Sequence, residues 1–130
     1  MRLGLFRSHD DNNDVIVYLM GWTVYVHPDA EDELLRLPAK EERSMLLAID
    51  KLKAMGRALP HPHRSDVRGT DEPLRELRPR RGASPWRAFY RDYDAHSVVG
   101  SIGPEAAKDK RGFDQAVDAA VKRLATIEDS

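Results

Sequence analysis

Apolar residues first gather at residues 15–20 and 22–26, two β-branched and aromatic runs split by Gly21 that predict strands. The polar stretch before them ends in Asp10-Asp11-Asn12-Asn13 and reads as a tail or loop. Two arrangements fit this start. Either the two runs pair with each other, or Met20 opens the folded chain and residues 1–19 add little to it. In the second case a chain beginning at Met20 is expected to fold and act like the full one. Residues 1–21 thus read as an N-terminal extension carrying at most an extra strand, and residues 22–130 as the domain.

From residue 28 the apolar period changes from two to that of a helix. Pro28-Asp29 signals the start, with Asp29 suited to cap and Glu31, Asp32 and Glu33 placed near the positive end of the helix dipole. Ala30, Leu34 and Leu37 follow at helical spacing until Pro38 interrupts. Residues 39–55 then carry the stripe Met45, Leu46, Ile49, Leu52 and Met55, closed by Gly56. Together these segments predict a helical hairpin. Leu59-Pro60-His61-Pro62-His63 cannot continue it, because each proline lacks an N–H and restrains its predecessor, so an extended connector is expected.

Strand-like residues return at about 73–78, 86–93 and 96–102, with Asp94-Ala95 as a tight turn between the last two. After a loop containing Lys108, Lys110 and Arg111, one face of a final helix collects Phe113, Ala116, Val117, Ala120, Val121, Leu124 and Ile127. Such a face must pack on something. The expectation is an α+β domain: a small antiparallel sheet packed against an N-terminal helical hairpin and a C-terminal helix.

Composition narrows the chemistry. A chain of 130 residues suits one domain, and the lack of cysteine removes disulfides, thiolate nucleophiles and sulfur-ligated zinc while fitting a reducing cytoplasm. Residues 16–20 are too short to span a bilayer and lack a signal peptide's flanks, so no membrane association is expected. The net charge of −1 conceals segregation. Residues 57–91 carry 9 Lys+Arg against 4 Asp+Glu, whereas residues 1–56 carry 7 against 10 and residues 92–130 carry 5 against 8. The basic third coincides with the middle strands, which directs attention to an anionic target.

Within it, Leu74-Arg75-Glu76-Leu77-Arg78 and Trp86-Arg87-Ala88-Phe89-Tyr90 read as paired strands with arginines among apolar residues. Because side chains alternate, placing Leu77, Ala88 and Tyr90 inward puts Arg78, Arg87, Phe89 and Arg91 on the other face. Guanidinium groups hold phosphates and rings stack on splayed bases, so such a face suits RNA. The plainer reading is a solvated strand face with arginines in surface ion pairs.

The order of these features resembles the RelE/HigB/ParE superfamily of bacterial type II toxins. The features that carry the resemblance are Trp22-Thr23-Val24-Tyr25-Val26, the Leu35 to Pro38 end of the first helix, Leu74 to Arg78, the aromatic-Arg pair Trp86-Arg87, and Lys108-Asp109-Lys110-Arg111 before the last helix. The resemblance covers residues 22 to about 127. It implies a toxin that cuts messenger RNA in the ribosomal A site and is held in check by a cognate antitoxin, itself a DNA-binding protein. By position, it assigns Arg87 to the scissile phosphate with Arg78 beside it, Lys108 or Lys110 to the leaving group or the neighbouring backbone, and Arg75, Phe89, Arg91 and Arg111 to RNA binding. No cofactor or metal is implied. Where some members carry strand lysines this chain has Leu74 and Glu76, and Phe113 replaces a tyrosine. Tyr90, Tyr93 and His96 are the remaining candidates for proton transfer, Tyr90 reading as core and His96 as an exposed turn.

Two further readings belong to the same resemblance: a noncatalytic gyrase poison of the ParE kind, and a degenerate module that only binds its antitoxin. His61, His63 and Asp66 supply ligand types for a metal, but their spacing matches no familiar zinc pattern and a solvated loop explains them.

Overall fold

A computed structural model describes residues 4–8, 15–19 and 22–129. Strands β1 (Gly4–Ser8) and β2 (Val15–Leu19) pair antiparallel as a sheet of their own. The expected partnership of residues 15–20 with 22–26 is therefore not formed, and a strand occupies part of the stretch read as a tail. Asp10 to Asn13, Met20 and Gly21 lie outside the described residues.

The main sheet has five strands in the order β3 (Thr23–Val26), β7 (His96–Pro104), β6 (Trp86–Asp92), β5 (Arg75–Leu77) and β4 (Arg64–Asp66). Pairing is antiparallel throughout except between β3 and β7, which run parallel. Helices α1 (Pro28–Leu35) and α2 (Ala39–Met55) form the expected hairpin, and α3 (Lys110–Glu128) is the last element. The α+β architecture expected from the sequence is present, with β4 added just after the Leu59 to His63 stretch read as connector. His27, not Asp29, caps α1: its imidazole accepts a hydrogen bond from the Asp29 N–H at 3.0 Å.

Both faces of the sheet are covered. Leu77, Ala88, Tyr90, Val99 and Ile102 pack against Ala30, Leu34, Met45, Ile49 and Leu52 of the helical hairpin. Leu74, Phe89 and Val98 pack on the other side against Ala116, Ala120 and Leu124 of α3. Each fully buried leucine contributes about 1.5–3 kcal/mol of apolar burial, so the two layers share the work of holding the sheet. Ile127, counted on the apolar face of α3, is exposed, as are Leu46 and Met55 of α2.

Small residues bring α3 close. The Cα of Ala120 would lie 3.0 Å from a Cβ added at Gly100, and the Cβ of Ala116 only 2.5 Å from one added at Gly103. Gly100 is the extra residue of a bulge, since Phe89 pairs with Ser101 and Tyr90 with Val99. Because β3 covers β7 only as far as Val99, the edge beyond it needs other partners. Glu33 of α1 accepts the Ile102 N–H at 2.9 Å, and Arg123 of α3 donates to the Gly100 carbonyl at 2.9 Å while pairing with Glu33. One ion pair thus closes the sheet edge and fixes α1 relative to α3. Among the described residues no helix is long and apolar enough to cross a membrane, and no cluster of side chains is arranged to hold a metal.

Candidate functional site

Arg87 sits one residue into β6, opposite Gly103, on the α3 side of the sheet. Its side chain is only 4 % exposed. Nη1 donates to the carbonyls of Ser84 at 2.6 Å and Trp86 at 2.9 Å, which fixes one end of the guanidinium. The opposite edge meets two carboxylates: Nε lies 3.4 Å from Glu76 Oε1 and Nη2 lies 3.7 Å from Glu105 Oε2. Neither approach completes a hydrogen bond, and Nε is buried without an acceptor among the described residues. Burial lowers the Arg87 pKa, the Glu76 and Glu105 charges oppose that, and the Arg78 charge adds to the lowering. Arg78 is therefore within electrostatic reach of Arg87, although it lines a cavity beside α2 with Leu77 instead of sharing a strand face with Arg87, Phe89 and Arg91 as expected.

The carboxylates differ in freedom. Glu76 is tethered, because its Oε2 accepts a 2.6 Å hydrogen bond from Ser65 of β4. Glu105, partly exposed just beyond β7, is anchored only through its backbone, its N–H donating to the Pro85 carbonyl at 2.9 Å. Lys108 belongs to the same turn, its N–H donating to the Glu105 carbonyl at 3.2 Å. The Lys108 side chain is exposed and has no partner among the described residues, whereas Lys110 pairs with Asp114 at 2.6 Å and lies over the Phe113 ring. Arg111 projects from the first turn of α3, exposed. Asp109 caps that helix by accepting the Gly112 N–H at 2.9 Å.

Three of the residues expected to bind RNA are placed elsewhere. Phe89 is fully buried beneath α3, edge-on to Phe113 with centroids 5.3 Å apart, and cannot stack on a base. Arg91 is buried too, donating to the Pro73 carbonyl at 2.6 Å and to Glu128 at 2.9 Å. Arg75 lies opposite Tyr90 and so belongs to the helical-hairpin side, paired with Asp92 at 3.1 Å and Asp66 at 3.5 Å. The common cause is that α3 covers the face expected to meet solvent, so alternation sorts residues between two cores. Tyr90 is buried on the far side and its pKa is pushed up to about 12, by burial first and then by Asp92. Tyr93 also rises to about 12, by burial and its hydrogen bond to Glu128. His96 is half-buried and stacked on Tyr93. None of the three reaches the Arg87 corner. Glu76 and Glu105 do, and sequence reasoning passed over both, although Glu76 shares the alternation phase of Arg87 across the strand pair.

The segment between β5 and β6 frames the corner. Pro79–Gly82 forms a 3₁₀ turn in which Arg80 (φ 54°), Arg81 (φ 58°) and Gly82 (φ 98°) are all left-handed, a cost of about 1–2 kcal/mol for each arginine. Glu41 of α2 offsets it by binding Arg80 through both oxygens, at 3.3 and 3.1 Å, and accepting from Ser84 at 2.8 Å. Those bonds hold the Glu41 pKa below the usual carboxylate value, the Arg80 contact being the largest cause. Glycine suits position 82 because its φ of 98° strains an L side chain, and a Cβ there would also push on the Arg78 guanidinium, 2.6 Å from Nη2.

Residues 32–99 match the family described as phage derived protein Gp49-like (DUF891). No curated protein matches the sequence significantly. Among solved structures, an arginine double mutant of the Escherichia coli toxin RelE in the free state superposes with a TM-score of 0.58 at 18 % identity, covering 81 % of this chain and 99 % of that one. The archaeal RelE-RelB complex from Pyrococcus horikoshii OT3 contributes a chain with a TM-score of 0.51 at 21 % identity, covering 65 % of this chain and 96 % of its own length. At such identities these likenesses describe the fold. The family match over residues 32–99 shows that the chain belongs to the phage-derived Gp49-like family, and the likenesses show that it has the RelE fold.

Proposed function

We propose that the chain is the toxin of a toxin-antitoxin pair and cleaves translated messenger RNA by attack of a ribose 2′-hydroxyl on the adjacent phosphate. The observation that carries this reading is the Arg87 guanidinium, fixed by carbonyls at Nη1 and, among the described residues, left without a hydrogen bond along its Nε–Nη2 edge. That edge has the geometry to take two phosphate oxygens, and charge on a phosphorane is what the reaction must stabilise. Glu76 and Glu105 keep the guanidinium neutralised until a phosphate displaces the looser of them. Glu105, swung away, takes the proton from the 2′-hydroxyl as the new P–O bond forms. The bond from phosphorus to the 5′-oxygen breaks, and Lys108 supplies that oxygen's proton, leaving a cyclic phosphate and a 5′-hydroxyl. Arg78 contributes further positive charge. A cognate antitoxin is the partner, a role supported by the likeness to a chain solved as a RelE-RelB complex.

A noncatalytic binder is the second reading, favoured by the two carboxylates that face Arg87. Inducing the chain in a bacterium while mapping RNA 5′ ends and DNA breaks separates the two. New 5′ ends inside translated codons support cleavage. Gyrase-linked breaks, or growth unaffected at full expression, would reject it.

A further inference from the structure

Beside α2 lies a groove that shares only Arg78 with the Arg87 corner. A cavity of about 270 Å³ opens between α2 and the 78–82 turn, with buried Leu59 and Leu77 at its floor and Leu47 and Ala48 along its wall. Leu47, 64 % exposed, extends the aliphatic surface at the groove's edge. No Asp or Glu lines the groove, and Lys51, Arg78, Arg80 and Arg81 give it positive charge. Only Arg80 is engaged, by Glu41 and Ser44. Lys51 and Arg81 have no anionic partner among the described residues, and Arg78 Nε is buried without an acceptor. The cationic field reaches His63 inside the groove, whose pKa is lowered by burial and then by Lys51 and Arg81. Two successive left-handed arginines hold this rim in place against their own backbone preference.

An aliphatic floor ringed by unpaired cations accepts aliphatic side chains set among carboxylates. A nucleobase fits less well, because no Phe, Tyr or Trp lines the groove to stack on it. We infer that this groove is the docking site for a segment of a partner protein in which aliphatic residues alternate with Asp and Glu. The inference rests on the reading that the chain works with a protein partner, and it places that contact beside α2. An occupant's carboxylate on Arg78 also lies within electrostatic reach of Arg87, which links docking to the state of the corner.

The test is selection from a phage-displayed library of random 12-residue peptides on the full chain. Selected peptides are expected to combine Leu, Ile or Val with Asp or Glu, to bind Leu47→Asp and Arg81→Glu at least tenfold more weakly, and to shift the His63 ring resonances of the wild-type chain. Both substitutions are at exposed positions, and melting curves check that the variants fold; if either does not, Lys51→Glu replaces it. The inference fails if no peptide is selected, if binding is indifferent to these variants, or if the selected peptides are basic. It also fails if a single-stranded RNA 12-mer occupies the groove instead, or if Leu47→Asp abolishes self-association of the chain in sedimentation. Absence of growth arrest on induction would count against RNA cleavage and leave the peptide result standing.

Discussion

Two arginine clusters border the same 78–85 segment and are built in opposite ways. Arg87 is buried, anchored to two carbonyls and faced by two carboxylates. Arg81 and Lys51, on the α2 side, stand in solvent with no counter-charge among the described residues. Desolvation is the deciding difference: a buried guanidinium must be neutralised within the protein, whereas exposed cations keep their hydration and await an anion. Buried charge suits chemistry, because its electrostatics act in a low dielectric, and exposed charge suits recruitment of a partner.

Removing Arg87 should break the comparison most visibly. Arg87→Ala strands Glu76 and Glu105, and urea unfolding should show a loss of about 3–5 kcal/mol, largely restored when both glutamates are also changed to Gln. A loss below about 1 kcal/mol would mean the corner is solvated in the same manner as the rim. Gly103→Ala places a methyl 2.5 Å from that of Ala116 and lifts α3 from the strand that faces Arg87, at a cost of about 1–3 kcal/mol by the same measurement. Tolerance of it would show that α3 is not seated as described.

The rim should behave in the reverse sense. Arg81→Gly relieves a left-handed residue and is expected to stabilise the fold by up to about 1 kcal/mol while weakening peptide binding at the groove. The smallest effect concerns pH. Glu41 is held below its usual pKa by Arg80, so it contributes stability that is present above about 4.5 and is lost as pH falls through the lowered folded value. Thermal melts of Glu41→Gln should accordingly fall less steeply below pH 4.5 than those of the wild-type chain, and parallel curves would contradict the clamp.

Much of the frame was legible because prolines and glycines punctuate it. Pro28, Pro38 and Gly56 delimit α1 and α2, and the stripe of α3 announced itself by period alone. The parallel pairing of β3 with β7 was not legible, since it joins residues far apart in sequence and nothing local selects it. Phe89 was misplaced for a related reason. Alternation tells which residues share a face but not whether that face is covered, and the apolar stripe of α3, which had to pack on something, was the unused clue. In the candidate site, Arg87 was readable from the strand pair, whereas Arg78 lines the cavity beside α2 together with Leu77, which alternation did not foresee. Glu105 was not readable, because it enters the corner through a turn after β7 whose path depends on tertiary contacts.

Cleavage by the purified chain tests the role of Arg87 most directly. Wild-type protein and Arg87→Lys, which keeps a charge between the two carboxylates but loses the two-pronged edge, would be incubated with ribosomes translating a defined message. The RNA ends would then be analysed chemically. The expected result is cleavage within the A-site codon to a cyclic phosphate and a 5′-hydroxyl, reduced on the order of 100-fold or more by Arg87→Lys in a variant that still melts cooperatively. Intact message with the wild-type chain, or equal cleavage by both proteins, would contradict the account.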